Sequence, residues 1–242
     1  MATPVLIRRN SLLGIFLMFL VVGCATTQSS QDYAAVLTDA ARPDAERALD
    51  NVRKPVEVMA FYGVKKGDKV ADIFAARGYY TVILSQLVGK DGVVYAANAK
   101  PRPELHERVK QSGLANVRIL DGPLDKVALP QDGSLDFVLI HLDYHDLAPE
   151  TRIAMNKRIF GALKRGGAYG VVDHSAKDGA GDAAAKTLHR IEKNLVIKEV
   201  TSVGFRLDKE GSMLRRDDDT RDFNVLKERG RSDRFVLRFQ KP

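Results

Sequence analysis

The chain has 242 residues, a formal net charge of +7, 45% hydrophobic residues and a single cysteine, Cys24. One cysteine excludes an internal disulfide and a cysteine metal cage. The charges are interleaved in sign, as in "LRRDDDTRD", and no basic run carries aromatics between its members, so nucleic-acid binding is not expected and a solvated mixed-charge surface is. Any chemistry must come from His, carboxylates, Tyr, Ser or a bound cofactor.

The first segment is an address. "MATPVLIRRN", with Arg8 and Arg9, precedes the uncharged "LLGIFLMFLVV", the layout of a secretory signal. That core is shorter than the roughly 20 residues a membrane-crossing helix needs. "VVGC" ahead of Cys24 resembles the bacterial lipoprotein signal, which implies loss of residues 1–23 and a lipid anchor to the membrane on Cys24. Ala25 follows, where an aspartate would imply inner-membrane retention, so the resemblance implies an outer-membrane lipoprotein facing the periplasm. Arg8 and Arg9 also suggest twin-arginine export, although Ser11 stands where a large apolar residue is expected. Residues 24–40, with the polar "ATTQSSQ", are expected to form a flexible tether. Residues 41–242 suffice for one domain with a sizeable core, and without Arg8 and Arg9 the net charge is +5.

Within that domain, "AERALDNVRKPVEVMAFYG" predicts one or two helices broken near Pro55. Strand-like runs follow at 69–74, 93–98, 116–120, 135–142 and 168–174. Helical patterns lie between most of them. In "GYYTVILSQLVG", Tyr80, Ile83, Leu84 and Leu87 share a face, and in "PETRIAMNKRIFGALKRGG" so do Met155, Ile159, Ala162 and Leu163, with Pro149 suited to a first turn and Gly166 to a stop. Strands alternating with helices imply an α/β fold whose parallel sheet is covered on both faces. "LVIKEVTSVGFRL" then predicts a helix stopped by Gly204 and a short strand. "RFVLRFQ" alternates and is expected to return antiparallel. The long charged connection between them reads as a mobile surface loop, because "RRDDDTRDFN" has few apolar anchors.

Seven strands, the last antiparallel, with a small-residue turn after the first, resemble the Rossmann-like class I S-adenosylmethionine-dependent methyltransferase fold. "GYYT", "DYHDL", "GVVDH" and "RFVLRFQKP" resemble, in that order, a group of exported bacterial methyltransferase-like lipoproteins over roughly residues 40 to 242. The resemblance implies S-adenosylmethionine as cofactor and methyl transfer to a small-molecule acceptor. It implies that Asp72 orients the turn, that Ala75, Ala76, Gly78 and Tyr79 approach the methionine portion, and that Asn98 meets the ribose where the family places an acid. Asp121 then falls beside the adenine and His141 at the cofactor's edge. Phe74 and Ala76 depart from the glycines usual in this corner. Arg77 either pairs with the cofactor carboxylate or points to water.

Ligands of such sheets bind beyond the carboxyl ends of the strands. His141, His145 and His174 fall there, with Asp143, Asp146 and Asp173 beside them. One reading makes His145 or Asp143 a general base, with Tyr144 leaning over the acceptor. A second gives Asp143, Asp173 and His174 a divalent metal, and a third leaves the cluster bracing loops. His106 and His189 are expected on the surface. A rival function is a non-enzymatic envelope lipoprotein that binds a ligand or partner through the same scaffold.

Overall fold

The computed structural model describes residue 1, residues 30–38 and residues 42–242. The expected leader and Cys24 lie outside the described residues. Among those described, no helix is long and apolar enough to cross a membrane.

Helix α1 (Ser30–Ala35) falls inside the stretch expected as tether. It packs on the domain: Tyr33 is buried and its hydroxyl donates to the Val64 carbonyl at 2.8 Å. Three short helices follow, α2 (Asp44–Arg47), α3 (Asp50–Arg53) and α4 (Pro55–Tyr62). The break before Pro55 is where the sequence places it: Lys54 turns to φ 43°, and the proline takes the first helical position, where its missing N–H costs nothing.

The seven strands are β1 (Lys69–Ile73), β2 (Val93–Asn98), β3 (Val117–Asp121), β4 (Leu135–His141), β5 (Leu163–His174), β6 (Arg206–Gly211) and β7 (Arg234–Gln240). They form one sheet in the order β3-β2-β1-β4-β5-β7-β6, with β7 antiparallel to both its neighbours. Between them run α5 (Tyr79–Val88), α6 (Pro103–Gln111), α7 (Pro149–Ala162), α8 (Ala185–Leu188) and α9 (Lys193–Ser202). Helix α7 stops four residues short of Gly166, because Leu163 already pairs with Leu135 in the sheet.

Strand alternation divides the core in two. Val70, Phe137, Leu139, Val172 and Val236 meet α4 and α5 on one face, and Ala71, Ile73, Val138, Ile140, Val171 and Leu237 meet α7 and α9 on the other. Near-continuous apolar strands are what burial on both faces requires.

The connection 212–233 is better anchored than its composition implies. Leu214 and Val225 are buried, and Asp219 forms a two-pronged pair with Arg190, both side chains 0% exposed. Asp233, also fully buried, pairs with Arg221 and Arg215. The charges of "RRDDDTRD" therefore include the loop's inner anchors, and the expectation of a weakly held, solvated stretch is corrected.

Candidate functional site

The turn after β1 keeps the backbone of a glycine corner with only one glycine, Gly78, in it. Phe74, Ala76 and Gly78 all have positive φ, at 60°, 50° and 92°. Two non-glycine residues in the left-handed region cost about 1 kcal/mol or more each and persist only where the surroundings impose them. Asn98, at the end of β2, does the imposing: its Oδ1 accepts the Ala76 N–H at 2.8 Å and its amide donates back to the Ala76 carbonyl at 3.3 Å. At Gly78 an added Cβ would sit 2.8 Å from Leu105 Cδ1 of α6, so that the end of the Leu105 side chain would have to shift. Ala75 is buried while Ala76 is exposed.

Asp72 supplies the cap that Gly78 cannot. It accepts the Thr81 hydroxyl at 2.7 Å in the first turn of α5. Burial raises its carboxyl to about 7, against the Thr81 hydrogen bond and the charge of Arg53. Arg77 points to water, its side chain 78% exposed and near Glu104. Phe74 packs against the core of the α7 face. Tyr79 is covered by the segment before β1: its hydroxyl donates to Asp50 at 2.6 Å, Asp50 is gripped by Arg42, and Arg53 lies 4.3 Å over the Tyr79 ring. At the end of β3, Asp121 meets His106 Nε2 at 2.6 Å.

Beyond β4 and β5 the expected cluster divides by strand face, although the rings of His145 and His174 stay 6.1 Å apart. His141 and His174 share the face of Leu139 and Val172, whereas Asp173 follows Val171 to the other face. There Asp173, 0% exposed, accepts both the His145 backbone N–H at 2.9 Å and its Nδ1 at 2.8 Å. His174 turns its Nδ1 to Ser232 instead, at 2.7 Å. The trio Asp143, Asp173 and His174 is therefore not assembled as a metal set, because neighbouring residues of one strand project oppositely. Tyr144 is likewise taken out of the cluster. It is 0% exposed, its hydroxyl donates to Glu199 at 2.8 Å and accepts from Asn156, and Glu199 in turn binds Arg152.

Charge follows this division. For His145, burial is outweighed by the carboxylate of Asp173, helped by Asp146 and Asp143, and its imidazole rises to about 9. Asp173 stays below its ordinary range despite burial, because His145 faces it. His174 falls to about 3 through burial, with Arg234, His145 and Arg190 adding to the effect. Asp143 rises to about 7 through burial and the nearby charges of Asp173 and Asp146. Its carboxylate has no hydrogen-bond or ion-pair partner among the described residues.

His189 was expected on the surface and instead joins the cluster from the end of α8. Its ring lies 5.5 Å from that of His145, and its Nδ1 is 3.5 Å from Asp146 Oδ1. It comes from a segment 44 residues on, and nothing in its local pattern marks it. Among the described residues, His145, Asp146 and His189 are the group whose ligand atoms all fall within 4.8 Å of one another.

The residues around the turn fit S-adenosylmethionine. His141 Nε2 and the Tyr80 hydroxyl are buried without hydrogen-bond partners, their rings 4.6 Å apart, and so leave polar atoms for a ligand. Asn98 Oδ1 retains a second lone pair for a ribose hydroxyl. Arg53 has no carboxylate partner among the described residues and can meet that of a methionine moiety. A surface groove lined by Ser85, Lys90 and Arg118 opens at the opposite, amino end of the strands.

This sheet order, with a glycine-type turn after its first strand, defines a class I methyltransferase fold. The chain belongs to the ubiE/COQ5 methyltransferase family, whose profile matches residues 49–205. It is 31% identical over 86 residues to a demethylmenaquinone methyltransferase of Geobacillus stearothermophilus, a match covering 35% of this chain. It spans only 36% of that relative's length. Among solved structures it resembles a SAM-dependent methyltransferase from Aquifex aeolicus, with TM-score 0.62, 19% identity and coverage of 87% of this chain and 99% of that one. A TehB-like SAM-dependent methyltransferase from Corynebacterium glutamicum aligns with TM-score 0.55 and 17% identity, over 88% and 98% of the two chains.

Proposed function

We propose that the chain transfers the methyl group of S-adenosylmethionine to a small-molecule acceptor at the carboxyl ends of β1, β4 and β5. The observation that carries this reading is the strained turn, in which Phe74 and Ala76 are held at positive φ as glycines would be. Strain kept at the mouth of a sheet is expected where a ligand uses the backbone shape. Family membership supports the same reading.

Bound there, S-adenosylmethionine supplies an electrophilic sulfonium methyl. The protein's part is positioning. Asp72 fixes the start of α5, Asn98 fixes the turn, and Arg53 pairs with the cofactor carboxylate. Asp143 is the group left to take the acceptor's proton: its carboxylate is unpartnered, whereas His145 is already tied to Asp173. Holding the reactants in line supplies much of such an acceleration, so Asp143 contributes the smaller share.

The relatives' names do not fix the acceptor, because a demethylmenaquinone methyltransferase and a protein-L-isoaspartate O-methyltransferase of Ignicoccus hospitalis both match. The leader extends the proposal to an outer-membrane lipoprotein anchored through Cys24. Replacing Cys24 by Ala then moves the protein from the membrane to the soluble fraction.

Calorimetric titration with S-adenosylhomocysteine tests the cofactor reading. One site per chain is expected, weakened at least about tenfold by Arg53→Gln, the loss of one charge-assisted pair. Asp143→Asn is expected to leave that affinity intact and to lower turnover once an acceptor is in hand. No heat at millimolar ligand with folded protein overturns the reading, and binding without turnover across an acceptor panel supports the non-enzymatic rival instead.

A further inference from the structure

His145, Asp146 and His189 come together in a way that hydrogen bonding does not explain. His145 Nε2 stands 3.3 Å and His189 Nδ1 3.5 Å from the same oxygen, Asp146 Oδ1. Both contacts have ion-pair length without hydrogen-bond geometry, and the three ligand atoms all lie within 4.8 Å of one another. The spacing is that of a coordination shell. Ligand bonds of about 2.0–2.1 Å at tetrahedral angles put neighbouring donor atoms about 3.3 Å apart.

The surroundings also match a metal centre. A metal-binding imidazole gives its other N–H to a carboxylate, which fixes its tautomer and orientation. His145 does this through Nδ1 to Asp173, which is fully buried and is itself held by the backbone N–H groups of His145 and His174. The Nε2 lone pair is thereby the one left for a cation, and binding releases the proton it otherwise carries. His145 is buried, but Asp146 and His189 are 47% and 25% exposed, so the group is reached from solvent.

We infer that His145 Nε2, Asp146 Oδ1 and His189 Nδ1 bind a divalent transition cation of the zinc type, with a fourth position open to water or a ligand oxygen. Two imidazoles and one carboxylate are donors suited to such an ion and poorly suited to calcium or magnesium. This site is distinct from the trio Asp143, Asp173 and His174, and it stands or falls independently of methyl transfer.

The test is cobalt(II) absorption on the metal-stripped full chain, with Cys24 alkylated beforehand so that no thiol contributes. Visible bands of four-coordinate intensity are expected at one equivalent, displaced by one equivalent of zinc. His189→Gln and Asp146→Asn should each weaken cobalt affinity at least tenfold. Asp173→Asn should weaken it about 10–100-fold through the imidazole it orients, and His174→Gln should leave it unchanged. Circular dichroism of each variant confirms that it is folded. Absence of the bands from the folded wild type, or bands that survive His189→Gln but not His174→Gln, overturns the assignment.

Discussion

Phe74 and Ala76 show how one side chain can hold a backbone that local preference opposes. Asn98 grips both polar groups of Ala76, so the turn is set from the neighbouring strand. Because Ala76 is exposed and loses no packing, Ala76→Gly is expected to raise the urea-unfolding free energy by about 0.5 kcal/mol, strain relief exceeding the added chain entropy. Gly78→Ala should lower it by about 1–3 kcal/mol, since it meets both a φ of 92° and the Leu105 side chain. Asp72 gives a pH signature. Its carboxyl titrates at about 7 when folded and at about 3.9 when unfolded, so between those values the folded chain holds a proton that the unfolded chain releases. This group therefore lowers stability as pH rises from about 4 to about 7 and adds no further slope above. Urea midpoints across that range should lose this part of their slope in Asp72→Asn, which keeps an acceptor for Thr81. At this scale the sequence was legible for position at a strand end, as with Asn98 and His141, which close β2 and β4. It was illegible for Tyr144 and His189, whose neighbours Glu199 and Asp146 are set by packing between distant segments.

Most strands were read to within a residue or so, because apolar periodicity and proline or glycine punctuation are local signals, but β5 begins at Leu163 rather than 168, α7 ends at Ala162 rather than near Gly166, and α1 lies in the expected tether. The connection 212–233 was misread. Its anchors are charged, and a charge reads as solvated until its partner is known; Arg190 lies 29 residues before Asp219. Removing one member of a fully buried pair strands the other, at a cost of about 3–5 kcal/mol. Asp219→Asn is accordingly expected to lower the unfolding free energy by that order. Asp218→Asn, one residue away and 64% exposed, should leave the urea midpoint unchanged. Equal effects would contradict the placement of these charges.

Across the whole molecule, the segment before β1 acts as a clasp between the sheet's two ends. Arg42 and Tyr79 share Asp50, Glu46 holds Arg108 of α6, and the Val52 carbonyl accepts from Arg234 at the start of β7. Asp50→Asn is expected to cost about 2–3 kcal/mol and to speed tryptic cleavage at Arg47 and Arg53. A cleavage rate equal to wild type would show that the clasp does not depend on this carboxylate. The sheet order was legible from its resemblance to a known fold. The division of Asp173 from His174 was open to inspection in the alternation of "GVVDH", yet it becomes decisive only once both faces are seen to be covered.

The position of β7 has a consequence for how the molecule comes into being. Of the seven strands it comes after the other six in the chain, yet it sits inside the sheet, and β6, some twenty residues earlier, has no other neighbour. Until residues 234–240 emerge, β5 presents a bare, apolar margin to whatever is nearby and β6 has nothing to join. Completion of the barrier between the two cores thus waits for the strand made after the other six, and until then an exposed margin invites pairing with a stranger.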